Sequence, residues 1–192
     1  MSLGSKEKDS ELILMVRQGR REAFAPIVER YWGRVKSMIR RIIKNQELVE
    51  DLCQETFIRA YEKIDQFDLT REFSPWIMKI AYNLVGEHFR KTGQKFQLVP
   101  IDEADLVSNQ PGPSDQVLGR MLMDECLERL PLFYRIMFAL RHGMMFSYEE
   151  ISQILEEPIG TIKVNIFRAR ELLRVYLNHK SQENVMEGTK PK

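Results

Sequence analysis

Cysteine is nearly missing from the 192 residues: Cys53 and Cys126 are the two, with no Cys-x-x-Cys spacing and no histidine pair near either. A disulfide framework or a structural zinc site needs more than this, so both are expected to be free thiols in a reducing compartment. Histidine is almost as scarce, with His88, His142 and His179 isolated from one another. There is no His-Glu-x-x-His run, no glycine-rich phosphate cradle and no Ser/His/Asp pattern. Asp51 and Glu55 lie one helical turn apart, but no histidine joins them as in a di-iron bundle. The chain is therefore expected not to be an enzyme, and to need no cofactor and no metal. Long apolar runs are absent too, so no spanning helix and no membrane insertion is expected. The first residues are polar and charged rather than signal-like, and the expected location is cytoplasmic. Strand-like alternation is also nearly lacking, and almost every periodic segment repeats at the helical period, so the fold class is all-α.

What the chain has is charge, arranged in blocks. The net charge of +1 conceals the order. Residues 1–45 carry 11 Lys/Arg against 5 Asp/Glu, and residues 46–70 carry 2 against 7. The balance then swings to 5 against 2 over 71–95, 2 against 7 over 96–130, and 5 against 2 over 157–180. A protein that only bound nucleic acid would more often be basic throughout. Alternation points to two kinds of partner, one polyanionic and one basic, although a solvated surface explains any single block.

The periodicity divides the chain into two small helical domains. Residues 8–95 form the first: two helices over 8–44 with Gly19 near their break, a third over 46–65, and a fourth over 72–91 that stops near Gly93. Residues 96–114 contain Pro100, Asp102, Glu103, Asp105, Pro111, Gly112 and Pro113 and read as an acidic, flexible linker. Helical periodicity returns over 115–178, the second domain; 179–192 is a polar tail, of which 181–192 is expected to lack structure.

Within the second domain, residues 147–175 read as a helix-turn-helix. Ser147 and Glu150 have capping-box spacing. Ile151, Ile154 and Leu155 supply one apolar face, and Pro158 closes the first helix. The second helix starts near Thr161 and turns Ile162, Ile166, Ala169 and Leu173 inward. Val164 and Arg168 then point outward, flanked by Thr161, Lys163, Asn165 and Phe167. Lys and Arg suit phosphates or guanine edges, Asn suits adenine, and Val suits a thymine methyl. The bland alternative is a helical hairpin with a solvated basic face.

In the first domain, the helix at 46–65 has a core face of Val49, Leu52, Cys53, Thr56, Phe57, Ala60, Tyr61 and Ile64. Its opposite face carries Glu47, Asp51, Gln54, Glu55 and Glu62, with Ile58 among them. One apolar residue ringed by carboxylates fits docking to a basic partner, and equally fits Ile58 packing on a neighbouring helix. The helix at 72–91 has Phe73, Trp76, Ile77, Ile80, Ala81 and Leu84 on its core side, and Lys79, Asn83, Gly86, Glu87 and Arg90 on the other. Gly86 beside Asn83 would admit a strand or base close to the backbone, or a neighbouring helix.

Three stretches together resemble the extracytoplasmic-function (ECF) group of sigma factors of bacterial RNA polymerase. Val49-Glu50-Asp51-Leu52-Cys53-Gln54-Glu55-Thr56-Phe57-Ile58-Arg59-Ala60-Tyr61 is similar to the family's polymerase-binding segment. Phe73-Ser74-Pro75-Trp76-Ile77-Met78-Lys79-Ile80-Ala81-Tyr82-Asn83-Leu84 is similar to its promoter-melting segment. Leu130-Pro131 leading into 147–173, with Gly160-Thr161-Ile162-Lys163 and Arg168-Ala169-Arg170, resembles the fourth sigma region. The resemblance implies a sigma region 2 type domain and a sigma region 4 type domain. It implies that Glu47, Asp51, Gln54, Glu55 and Ile58 bind the clamp-bearing subunit of core RNA polymerase. It implies that Lys79, Asn83, Gly86, Arg90 and Lys91 engage single-stranded minus-ten DNA, with a base flipped near Asn83. Thr161, Lys163, Val164, Asn165, Phe167 and Arg168 would read the duplex minus-thirty-five element. The acidic linker would thread toward the RNA exit path, and a cognate anti-sigma factor is implied as a further partner.

The sequence also departs from the family pattern. Val164 and Asn165 stand where Ser and Arg are frequent, which predicts a divergent upstream preference. Glu156 and Glu157 occupy a turn that often holds Gly and an apolar residue, and a left-handed residue without Gly is disfavoured, which predicts a reshaped turn. Glu87 replaces the usual Asp of the fourth helix. A helix-turn-helix regulator that binds DNA alone is the competing reading; it leaves the acidic face around Ile58 unexplained.

Overall fold

The computed structural model describes residues 8–93 and 126–187, with side chains as far as Leu177. Every regular element among the described residues is helical, as the absence of strand-like alternation predicted. The linker expected at 96–114 lies outside the described residues. The chain forms two compact units, one holding residues up to 96 together with 149–157, the other holding 97–148 and 158–192.

The first unit begins with α1 (Asp9–Arg17). Its end is a hydrogen-bonded reversal in which Gly19 takes φ 91° and Arg20 N–H donates to the Met15 carbonyl at 3.0 Å. This left-handed closure is the reason for the helix break near Gly19. After a 3₁₀ turn at Arg21–Phe24, α2 (Ala25–Arg40) starts with Pro26 in its first turn, where no N–H is missed. α3 (Gln46–Glu62) is capped by Asn45, whose side-chain oxygen accepts from Leu48 N–H at 3.0 Å. α4 (Phe73–Lys91) carries Pro75 in its first turn and is followed by Gly93 at φ 67°.

Leu12, Ile13, Ile27, Val35, Met38, Ile39, Val49, Ile77, Met78 and Val85 are buried to 1% exposure or less and form the centre of this unit. Burying each such side chain is worth about 1.5–3 kcal/mol, so the packing outweighs any single surface ion pair. Phe67, Phe73 and Trp76 form an aromatic triangle with ring centroids 5.1–5.4 Å apart. Arg17 secures that corner: its guanidinium donates to the Ile64 carbonyl at 3.0 and 2.7 Å and also to the Phe67 carbonyl. Those carbonyls lie at the exit of α3, where backbone acceptors lack helical partners. Asp9 accepts from Arg30 and from the Tyr31 hydroxyl, tying α1 to α2. Burial, and then Asp9, push the Tyr31 hydroxyl well above its ordinary pKa. Burial, and then Glu50, push the Cys53 thiol up to about 12, so at neutral pH it is a protonated core group rather than a nucleophile.

In the second unit, α5 (Leu132–Phe138) follows Pro131 and runs into a π-turn at Ala139–Gly143. Next along the chain come α6 (Tyr148–Leu155), whose residues 149–155 group with the first unit, and α7 (Ile159–Glu187) of the second. Cys126, Leu127, Leu130 and Tyr134 pack with Ala169, Leu172 and Leu173 of α7 to form a core. Arg135 stabilises the entry to α5 by donating to the carbonyls of Glu128 at 2.9 Å and Leu130 at 3.0 Å. α7 runs on through 181–187, where the sequence reading expected an unstructured tail. The segment has no Pro or Gly before Gly188 and is built of ordinary helix-compatible residues, so nothing stops propagation.

The turn after α6 closes in the left-handed form although it lacks glycine. Glu156 takes φ 58°, and Glu157 N–H donates to the Ser152 carbonyl at 3.3 Å, the same closure that Gly19 makes after α1. The Ser152 hydroxyl reinforces it by donating to the Glu157 carbonyl at 2.6 Å. A left-handed non-glycine residue costs about 1 kcal/mol, and the added hydrogen bond offsets part of this. Glu156→Gly is therefore expected to be more stable than Glu156→Ala by about 1 kcal/mol, since both lose the carboxylate and only glycine escapes the steric cost. Equal midpoints for the two variants in urea titration would remove the strain argument.

Candidate functional site

Three helix surfaces bear on function. On α3, the face opposite the core is as the sequence pattern predicted. Glu47, Asp51, Gln54 and Glu62 are exposed, Glu55 is half-buried, and Ile58 stands 53% exposed among them. Ile58 thus does not pack on a neighbouring helix within the described structure. Buried Thr56 donates its hydroxyl to the Leu52 carbonyl at 2.6 Å, which satisfies the one polar side chain on the inner face.

Arg59, one residue on from Ile58, is held at the margin of this face. Its Nε donates to Glu55 Oε1 at 2.8 Å, and its terminal nitrogen donates to both Glu87 oxygens of α4 at 2.9 Å. The bond to Glu55, and then those to Glu87, raise the Arg59 pKa against the opposing effect of burial. The sequence reading named Arg59 only as part of a motif. The signal that could have found it is the Glu55–Arg59 spacing, favourable for an ion pair along a helix.

α4 is buried over a wider arc than the sequence suggested, because it packs on both α2 and α3. Met78, Tyr82 and Val85 join its core, whereas Trp76 and Ile80 are only half-buried. Asn83, Arg90 and Lys91 are exposed and Lys79 is half-buried. Gly86 is buried, which corrects its expected place on the open face beside Asn83. Its burial favours the second of the two roles considered, the approach of a neighbouring helix.

On α7, Ile162, Ile166, Ala169 and Leu173 are buried as expected. Lys163 is exposed, Val164 is 49% exposed and Phe167 is 62% exposed, while Thr161 and Arg168 are half-buried. Asn165, expected on the outward flank, is 3% exposed and faces inward with Ile162, Ile166 and Ala169. The helix is rotated from the assumed projection, so its outward line runs through Lys163, Val164 and Phe167. Asn165 is accordingly withdrawn as a direct reader of bases. Tyr148, which sequence reasoning did not single out, lies under two cations, with Arg141 4.8 Å and Lys163 5.7 Å from its ring centroid.

The end of the π-turn is tied to α7 by His142, whose Nε2 accepts from Arg170 Nε at 3.2 Å. Partial desolvation, and then the Arg170 and Arg141 charges, lower the His142 pKa. As pH falls, the unfolded chain binds this proton before the folded chain does, so stability drops as pH falls through about 6.5. Thermal midpoints measured between about pH 7.5 and 5.5 are expected to decline less steeply in His142→Gln than in the parent. Identical slopes would remove His142 as the titrating group.

Comparison with known proteins decides the family. The model for Sigma-70 region 2 matches residues 27–95, and that for Sigma-70, region 4 matches residues 120–173. The ECF RNA polymerase sigma factor SigW of Bacillus subtilis is 36% identical over 176 residues, covering 86% of this chain and 94% of the relative. The chain belongs to the ECF sigma factors. The ECF RNA polymerase sigma-E factor of Escherichia coli K12 is 31% identical over 176 residues, covering 86% of this chain and 92% of its own. Among solved structures, RpoE in complex with the anti-sigma factor NepR from Bartonella quintana aligns with TM-score 0.63 at 25% identity, over 81% of this chain and 96% of its own. CnrH, solved with the cytosolic domain of CnrY, shares the fold, with TM-score 0.66 at 21% identity over 89% and 97%.

This sigma factor is thus an initiation factor of RNA polymerase, and the three surfaces sit within its two matched regions. α3 and α4 fall in region 2, and α5, α6 and the first half of α7 fall in region 4. No helix among its described residues is long and apolar enough to cross a membrane.

Proposed function

We propose that the sigma factor docks on the clamp-bearing subunit of core RNA polymerase through Glu47, Asp51, Gln54, Glu55 and Ile58 of α3. The observation that carries this reading is Ile58, 53% exposed on an otherwise acidic helix face. An apolar anchor that excludes water, ringed by carboxylates that select a basic partner, is the composition of a specific protein contact. On α4, Lys79, Asn83, Arg90 and Lys91 hold the single-stranded minus-ten element, with a base captured near Asn83. On α7, Thr161, Lys163, Val164, Phe167 and Arg168 read the duplex minus-thirty-five element. There the cations meet phosphates and guanine edges, while Val164 and Phe167 offer apolar contact to thymine methyls. The domain limits are 8–95 and 115–178, joined by the acidic linker 96–114. The factor works in the cytoplasm by binding, without bond-making chemistry of its own. A cognate anti-sigma factor covers some of these surfaces when the factor is held inactive; the relative RpoE, solved with the anti-sigma factor NepR, supports this partner.

The test is run-off transcription with core polymerase on genomic fragments, with and without the purified chain. Transcripts that start only when it is added, and that vanish with Ile58→Asp, support the reading. Duplex binding by the free chain with no new transcripts would instead mark it as a DNA-binding regulator acting alone.

A further inference from the structure

Arg59 is the place where the polymerase face and the DNA face meet in one side chain. It rises from α3 one residue beyond Ile58 and holds Glu55 at 2.8 Å. Its other end grips both carboxylate oxygens of Glu87 at 2.9 Å. Glu87 lies one turn after Asn83 and one turn before Arg90 and Lys91, so it belongs to the stretch of α4 assigned to the minus-ten strand. A carboxylate there repels phosphate unless a cation compensates it. Arg90 and Lys91 are exposed, and Glu87 is compensated from beneath by a guanidinium borrowed from the neighbouring helix. The planar guanidinium suits the site, since its Nε and a terminal nitrogen are held in fixed directions toward the two carboxylates.

Resting on the assignment of α4 to single-stranded DNA, we infer that Arg59 is a positioning residue for promoter binding: it neutralises and fixes Glu87 so that the strand can lie along Asn83, Arg90 and Lys91. Its pairing with Glu55 holds the guanidinium in place but is not the source of its effect on DNA. Arg59→Gln therefore weakens DNA binding without weakening attachment to the polymerase. Removing the Glu87 charge as well restores DNA binding, although Arg59 is still missing.

The experiment uses holoenzyme reconstituted from core polymerase and the full chain. The probe is a fluorescein-labelled single-stranded oligonucleotide spanning the minus-ten region of a promoter mapped by run-off transcription. Arg59→Gln is expected to lower oligonucleotide affinity roughly fivefold, the scale of one unit-charge interaction across about 4 Å in water-like surroundings. Core affinity, followed by anisotropy of labelled sigma factor, is not weakened. Arg59→Gln with Glu87→Gln returns to within about twofold of the parent, a restoration that a merely structural loss would not show. Thermal melting of each variant reports folding. A drop in oligonucleotide affinity that Glu87→Gln fails to rescue overturns the inference, as does no drop at all while Arg90→Ala still weakens binding. If the parent holoenzyme binds the oligonucleotide and neither Arg90→Ala nor Asn83→Ala matters, the assignment of α4 itself fails and the inference falls with it.

Discussion

Replacing Asp51 and Glu55 together by lysine is expected to weaken association with core RNA polymerase roughly 100-fold or more. The reason is the shape of the surface rather than the number of charges. Ile58 supplies the apolar contact, and the carboxylates beside it lie where the contact would shield them from water. Reversal replaces two attractions by two repulsions at a partly desolvated contact, and like-charge juxtaposition there costs several kcal/mol. The fold should tolerate the change. Asp51 is exposed, and the Glu55–Arg59 pair is a surface interaction worth less than about 1 kcal/mol. Equilibrium binding to labelled core enzyme, with thermal melting as the control, measures both quantities. A double variant that melts normally and binds core as tightly as the parent would leave the α3 face without a role.

The second expectation concerns the pair Val164 and Asn165. A linear reading of the helix treats both as base-reading positions, so Val164→Ser and Asn165→Arg look like equivalent changes. The structure separates them. Val164 is half exposed, and Val164→Ser is expected to change stability by no more than about 0.5 kcal/mol while altering base preference upstream. Asn165 is 3% exposed, and Asn165→Arg forces a guanidinium into a buried position. That is expected to destabilise the protein by about 2–4 kcal/mol, through a buried unpaired charge and overpacking combined. Urea unfolding of the two single variants distinguishes them. If Asn165→Arg unfolds at the same midpoint as the parent, the inward placement of this position is wrong.

Much of the fold was legible because helical periodicity and end signals are local. Gly19 and Gly93 mark ends that need a left-handed residue, Pro131 precedes a helix start, and Ile162, Ile166, Ala169 and Leu173 repeat at the helical spacing. The acidic face of α3 was legible for the same reason: one buried stripe leaves the opposite stripe in water. Three features were not. The end of α7 is one, because polar composition does not stop a helix, whereas a Gly, a Pro or a cap does. The left-handed turn at Glu156 was hidden, because the sequence shows its steric cost and not the hydrogen bonds between Ser152 and Glu157 that offset it. Gly86 was placed on an open face because periodicity assigns one buried stripe, and α4 has two neighbours.

Taken alone, the order of residues determined the helical class, the stops at Gly19 and Gly93, the exposed carboxylates around Ile58 and the family motifs, because each depends on neighbours a few positions away. The tertiary arrangement decided that Asn165 faces inward, that Gly86 is covered, and that Arg59 joins Glu55 to Glu87. The physical reason is that a helix carries its periodicity in its own sequence but not its rotation or its partners. Those are chosen by the surfaces it packs against, which come from parts of the chain far away.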